Sequence, residues 1–375
     1  MKIEVIIYKL TYPCKKEVKN LFSKHTIILN RRKGFMEANN KNITRVNNNE
    51  LGLKKQIANR GLSLIGELDL LGQSTNSIVQ LCDPKEYKPY SYDINSSHTK
   101  ILAGCKDGTM IYWDIVNGTE IFLGKAHKLK IRSISISPNE RFALSTGDDQ
   151  QIILWNLETM NQELVFSSGG QNIQKIIFSE DNRYAITGSL FGLIQLWDLE
   201  SGKEFNRFGY PTFPNDDCAF IGMSLFDNGN LLVACGDFTG VSIWSMPDGR
   251  YIGVCDDCHD NLVWNARFAN NTKLLATCSR DHKIGFWDIS KGKLLDWLYG
   301  HSSDVIDISF PNSGRFFLSG GLDKRVCLWD LKSLKQINAY DGFPNGVSRV
   351  FFHNDDKSAL VCLFDEGVYR WKFSD

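Results

Sequence analysis

Three sets of side chains have the make-up of a hydrolytic triad. His127, Ser145 and Asp149 precede Trp155 by 28, 10 and 6 residues. The same offsets recur in His259, Thr277, Asp281 and Trp287, and again in His301, Ser319, Asp323 and Trp329. A histidine between a hydroxyl and a carboxylate can activate the hydroxyl as a nucleophile. A nucleophilic centre is needed once, however. Recurrence in three copies at constant spacing points to a repeated structural bond.

A second constellation, Cys255-Asp256-Asp257-Cys258-His259, matches the C-x-x-C-H pattern of haem attachment. Haem needs room for the macrocycle and an extracytoplasmic setting, and the chain suggests neither. A C-x-x-C pair can also lower a thiol pKa or contribute to a metal site, but no second pair completes a zinc tetrad. No cofactor and no metal are expected. Glycine-rich phosphate loops, H-E-x-x-H and kinase signatures do not occur. Nothing in the motifs argues for an enzyme, and the chain is read as a non-enzyme.

Charge gives a third candidate. Formal net charge over 375 residues is zero, so there is no bulk bias toward nucleic acid or membrane. Residues 1–64 nevertheless hold 14 Lys/Arg against 4 Asp/Glu, a net +10, and the remainder is −10. Arg31-Arg32-Lys33 and Lys54-Lys55 suit phosphates or anionic lipid. Aromatic interleaving is limited to Phe22 and Phe35, so no base-stacking groove is predicted. A solvated tail is the plainer reading. Within this arm, 2–10 and 25–29 read as short strands, 38–49 as an Asn-rich loop and 50–60 as a short basic helix. Residues 64–71 are apolar enough to dock as an edge strand.

The elements that must position these groups follow one period. Trp113, Trp155, Trp197, Trp244, Trp287, Trp329 and Trp371 are spaced by 42, 42, 47, 43, 42 and 42 residues. The stretch 300–330 shows the unit: strand-like runs at 305–310, 315–319 and 325–329, separated by turn clusters. A segment this short cannot bury its own apolar face, so it belongs to an array. In the first unit 90–94, 101–105 and 109–113 read as strands, with Ser77–Cys82 where an outer strand falls. The spacing of 47 places about five extra residues near 209–217, as a connecting loop. Hydrophobic residues at 42%, with 31 Gly and 9 Pro, suit many short strands and tight turns.

On these residues the chain resembles the WD40-repeat β-propeller family, over about residues 77–373. Four units end in Trp-Asp, at Trp113-Asp114, Trp197-Asp198, Trp287-Asp288 and Trp329-Asp330. The resemblance implies an all-β, seven-bladed WD40-type propeller over 65–375, with 1–64 as a basic, partly disordered N-terminal extension. It implies that Ser77–Cys82 closes the ring as the fourth strand of the last blade. It makes the His/Ser/Asp/Trp sets buried hydrogen-bond chains. Repeat one departs from that set with Lys85 and Ala103, and repeat three with Gly169 and Phe191.

The same resemblance assigns partner-binding positions on the narrow face. They are Lys88, Tyr90 and Lys106, then Lys130, Arg132 and Asp148, then Asn172, Gln174 and Leu190, then Ala219, Ile221 and Asp237. The ring continues with Leu262, Trp264 and Arg280, Asp304, Ile306 and Leu322, and Gly346, Ser348 and Phe364. Repeats one and two supply a basic arc, and Trp264 beside Arg280 is an anchor-type pair. Trp297 reads as packing.

The cysteines fall mostly in strand patterns, so no disulfide framework is seen and a reducing compartment is read. The start, MKIEVIIYKL, lacks a signal-peptide core, and no apolar run approaches the roughly 18 residues of a spanning helix. Cytoplasm, with the nucleus as alternative, is the expected location. The expected function is a non-catalytic scaffold or adaptor for protein partners within a larger complex. The alternative is an RNA- or ribonucleoprotein-associated factor binding nucleic acid through 1–64.

Overall fold

The computed structural model describes residues 77–373, apart from 83–84, 210–218, 238–239, 256–257, 270–271, 312–313 and 354–356. The readings of 1–64 and 64–71, and most of the loop at 209–217, lie outside the described residues.

Strand β1 (Ser77–Cys82) stays unpaired with its neighbours in sequence, and a 3-10 turn (Lys85–Tyr87) leads on from it. Blade one is β2 (Pro89–Ile94), β3 (Lys100–Cys105), β4 (Thr109–Asp114) and β5 (Thr119–Lys125). Blade two is β6 (Ile131–Ile136), β7 (Phe142–Gly147), β8 (Gln151–Asn156) and β9 (Gln162–Ser167). Blade three is β10 (Ile173–Phe178), β11 (Tyr184–Ser189), β12 (Leu193–Asp198) and β13 (Lys203–Gly209). Blade four is β14 (Phe220–Phe226), β15 (Leu231–Gly236), β16 (Val241–Ser245) and β17 (Arg250–Cys255). Blade five is β18 (Val263–Phe268), β19 (Leu274–Ser279), β20 (Lys283–Asp288) and β21 (Lys293–Tyr299). Blade six is β22 (Val305–Ser309), β23 (Phe316–Gly321), β24 (Val326–Asp330) and β25 (Gln336–Tyr340). Blade seven is β26 (Val347–Phe352), β27 (Ser358–Leu363) and β28 (Val368–Lys372), with β1 as its outer strand. Every sheet is antiparallel and runs from an inner to an outer strand in order. The β1–β28 ladder, with Ile78 opposite Trp371, joins the two ends of the strand series, so blade seven is not left one strand short.

Burial follows position in the blade. Middle strands such as β11 and β27 are buried throughout, whereas the outer β5 alternates and is mostly exposed. Apolar clusters form between blades. Leu318, Val326 and Leu328 of blade six pack on Val350, Val361 and Trp371 of blade seven. Each such side chain fully buried contributes about 1.5–3 kcal/mol. Close approach needs glycine in the second strand of several blades: a Cβ on Gly320 of β23 would lie 2.5 Å from Val347 of the next inner strand. Four strands cannot supply a core alone, and seven closed in a ring can.

A candidate interaction surface on the narrow face

One irregularity recurs in all seven inner strands. The ladder slips after the first paired residue, leaving Tyr90, Arg132, Gln174, Ile221, Trp264, Ile306 and Ser348 each as a β-bulge. A bulge re-aims its side chain out of the regular pleat. A backbone bond accompanies each bulge. The N–H groups of Lys106, Asp148, Leu190, Asp237, Arg280, Leu322 and Phe364 donate to the carbonyls of Lys88, Lys130, Asn172, Ala219, Leu262, Asp304 and Gly346, at 2.8–3.1 Å. The three predicted positions of every blade are thus joined in one module: two tied by a backbone bond, the third on the bulge between them.

The side chains on these modules divide into two wired arcs. At blades seven, one and two, the Tyr90 ring lies 5.5 Å from Phe364, centroid to centroid, and the Lys130 ammonium sits 3.2 Å from the Tyr90 centroid. Burial, followed by the neighbouring Arg132 cation, pushes the Lys130 ammonium down to about 8. The basic arc expected here is partly neutralised. Lys106 pairs with Asp365 at 2.7 Å, and Arg132 grips both Asp148 oxygens. Neutralisation follows from ring geometry, which sets Asp365 of blade seven beside Lys106 of blade one. Lys88 remains exposed, with a left-handed backbone at φ 51°.

At blades five and six, Trp264 Nε1 donates to Asp304 Oδ2 at 3.0 Å, and Arg280 Nε lies 4.0 Å from the same oxygen. Trp264 is half-buried against the blade-five and blade-six core rather than standing free on the rim. Arg280 keeps its side chain 59% exposed, and Leu322 is 40% exposed. In blade three, Gln174 Nε2 donates to Asn172 Oδ1 within the blade. Two exposed apolar residues beside the modules escaped the sequence reading. They are Leu129, next to Lys130 and 54% exposed, and Phe191, next to Leu190 and 59% exposed. The signal for Phe191 was visible: it replaces the turn aspartate of the other repeats.

The triad-like sets have buried histidines and hydroxyls. His127 Nδ1 donates to Asp149 at 2.8 Å. Its Nε2 accepts from Ser145 Oγ at 2.7 Å, and Ser145 Oγ accepts from Trp155 Nε1 at 2.9 Å. His259, Asp281, Thr277 and Trp287 repeat this chain, as do His301, Asp323, Ser319 and Trp329. Burial holds His127 below its usual value, which fits a neutral ring. The hydroxyl is occupied by indole on one side and imidazole on the other, so it has no free path to a substrate. Among the described residues no group of three or more His, Cys, Asp or Glu is placed to hold a metal. No helix among them is long and apolar enough to cross a membrane.

The cysteines bring one correction. Cys105, Cys235, Cys278, Cys327 and Cys362 are buried free thiols, and burial pushes Cys105, Cys235 and Cys327 up to about 12. Cys258 is also buried but is disulfide-bonded, to a cysteine outside the described side chains. The reading of a chain without disulfides does not hold there. The free thiols lie in strands of different blades, while Cys258 sits in the connection between β17 and β18.

Comparison with known proteins matches these blades. The family model described as WD domain, G-beta repeat, matches residues 118–156, 249–288 and 292–330. The chain is a WD40-repeat β-propeller. Its relatives include Periodic tryptophan protein 2 of Arabidopsis thaliana, 25% identical over 56% of this chain and 23% of that protein. Target of rapamycin complex subunit LST8 of Saccharomyces cerevisiae is 24% identical over 52% of this propeller and 79% of its own length. The U3 small nucleolar RNA-associated protein 21 homolog of Schizosaccharomyces pombe is 22% identical over 52% of the chain and 23% of that protein. The propeller thus spans about a quarter of two of these relatives.

Proposed function

We propose that this WD40 propeller is a non-catalytic scaffold that holds a protein or peptide partner on its narrow face. The observation that carries the reading is the bulge-and-bond module repeated in all seven blades. A rigid rim loses little entropy on binding, so modest contacts suffice for useful affinity. Candidate anchors are Tyr90, Phe364 and Lys88 on one arc and Trp264, Arg280 and Leu322 on the other. One relative is named as a subunit of a complex, which supports a role within an assembly.

The test uses side chains of the rim and leaves the blade cores alone. Arg280→Ala with Leu322→Ala on one arc, and Lys88→Glu with Lys130→Glu on the other, are each compared with wild type for partner capture at unchanged melting temperature. At least one pair should reduce capture about tenfold. Full capture by both pairs would remove this face from consideration.

A second reading has its own support. The +10 charge of residues 1–64 and the RNA-associated name of one relative favour a ribonucleoprotein partner bound through that arm, with a nuclear location. It predicts RNA binding that weakens steeply with salt and disappears on deletion of 1–64. Retention after that deletion would end it.

A further inference from the structure

The residue after each bulge belongs to a ring of equivalent positions around the axis. Most members tie one inner strand to the next. Ser133 Oγ accepts from Ile176 N at 3.2 Å. Asp307 accepts from Val350 N at 3.1 Å and from Asn265 Nδ2 at 2.6 Å. Two residues further along, Asp93 accepts from Ile136 N at 2.7 Å. Most polar groups in these rings are therefore bonds that close the propeller, while Ser91 Oγ of blade one is buried without a hydrogen bond among the described residues.

Lys175 departs from this rule. It holds in blade three the position of Ser133 in blade two, yet an ammonium cannot accept the next strand's N–H. Its ammonium makes no hydrogen bond or ion pair among the described residues. The charges that act on it are Arg349, Asp93, Arg267 and Asp307, from blades seven, one, five and six. Lys175, Asp307 and Arg349 hold the same register position on the inner strands of blades three, six and seven, so the lysine belongs to the ring of side chains around the axis. Burial, then the Arg349 charge, holds it well below the ordinary lysine value.

The two carboxylates within reach are already engaged. Asp307 lies 3.2 Å from Arg349 Nη1 and 3.6 Å from Arg267 Nε, and is itself 1% exposed. Asp93 is held by the Ile136 N–H. Arg267 Nε is buried without a hydrogen bond, while its side chain as a whole is 35% exposed. Three part-buried cations thus stand beside two committed carboxylates, an excess of positive charge that an anion would offset. We propose that the central channel binds a small multivalent oxyanion, of the phosphate class, between Lys175, Arg267 and Arg349. The anion would supply the acceptor that blade three lacks, and would act as a further tie across the ring.

Pyrophosphate and a hexaglutamate peptide are the probes, since a free anion and a partner's acidic side chain offer similar chemistry. Calorimetric titration and thermal unfolding are run on the full chain, on Lys175→Met, and on Lys128→Glu, an exposed cation outside the channel. Wild type should bind pyrophosphate saturably, with a rise in Tm of about 2 °C or more. Lys175→Met should weaken the affinity at least about tenfold and lose the rise, while Lys128→Glu should behave as wild type. No binding by wild type, equal affinity in Lys175→Met, or an equal loss in Lys128→Glu would each overturn the proposal. A response to hexaglutamate without one to pyrophosphate would overturn it too, by assigning the cations to a partner's carboxylates.

Discussion

Blades two, five and six anchor their tryptophan through a histidine to the inner turn; blades one, three, four and seven do without. Blade three keeps the lower half of the chain, with Trp197 Nε1 on Thr187 Oγ1 at 3.0 Å, although Gly169 and Phe191 stand where histidine and aspartate would. Blade four turns its indole to Ser242 on the same strand, at 3.0 Å, and flanks Trp244 with Phe208 and Tyr251. Blade seven gives up the polar chain: Trp371 is fully buried, with Nε1 unbonded among the described residues and Phe373 at 5.1 Å. The seven sheets nonetheless have the same strand order. The shared requirement is therefore the packed indole, and the histidine chain is an addition that orients the turn.

The largest expected effect tests that priority. Trp329→Ala and Trp371→Ala should each destabilise by about 3–5 kcal/mol, because both remove a fully buried ring. Urea unfolding reads the values. A Trp371→Ala cost under half that of Trp329→Ala would place the histidine chain, not the indole, at the centre of blade stability.

Next in size is the chain itself. His259→Ala leaves Thr277 and Asp281 without their shared partner in buried surroundings. It should cost about 1–3 kcal/mol, the penalty of stranding buried polar groups. Thr187→Val in blade three removes the bond from Trp197 and a longer one to the Gln195 carbonyl, and should cost about 1 kcal/mol. Equal costs would mean that the histidine and aspartate add nothing beyond the lower half of the chain.

The blades were legible in the sequence because their period is written in one rare residue. Trp113 through Trp371 mark the third strand of each blade, and the turns between them are carried by residues that favour turns. The three histidine chains were legible for the same reason, as fixed offsets from tryptophan. The side-chain wiring of the rim was not. Lys106 meets Asp365 across the joint between first and last blades, 259 residues apart, and no offset predicts which charges a closed ring brings together. The half-burial of Trp264 by blade six was hidden for the same reason. Lys175, Arg267, Asp307 and Arg349 did carry a signal, as charges inside inner-strand patterns, but only the register shows that they share two rings.

Acid should separate the two kinds of blade. Burial favours the neutral acid of Asp281, but the His259 hydrogen bond and two backbone N–H groups outweigh it and hold the carboxyl at about 2. Asp149 and Asp323 are lowered in the same way, burial being outweighed by their histidine partners. A depressed carboxylate contributes its full stability above its unfolded value, and that stability is lost as pH falls toward the folded value. Burial lowers His127, so its neutral form is favoured on folding and stability begins to fall as pH drops below the usual histidine range. Melting temperature should decline gently below about pH 6.5 and steeply from about pH 4 to 2. Asp281→Asn should start lower and flatten the steep limb. An unchanged steep limb would assign acid unfolding to carboxylates outside these chains.

The smallest effect isolates the indole N–H. Trp→Phe keeps most of the ring's packing and removes the donor. In blade six the donor bonds Ser319 Oγ at 2.9 Å, and that hydroxyl also serves His301, so its loss interrupts a buried chain. In blade seven the Trp371 donor has no acceptor among the described residues, so removing it takes an unsatisfied polar group out of the core. Both substitutions share the cost of a smaller ring, and their difference is the polar contribution alone. Trp329→Phe should therefore be less stable than Trp371→Phe by about 1 kcal/mol, the net worth of one bond. That difference should shrink toward zero in a Ser319→Ala background, where the blade-six indole loses its acceptor as well. A difference that persists there would trace to the shape of the two pockets, and the distinction between wired and unwired blades would then rest on packing.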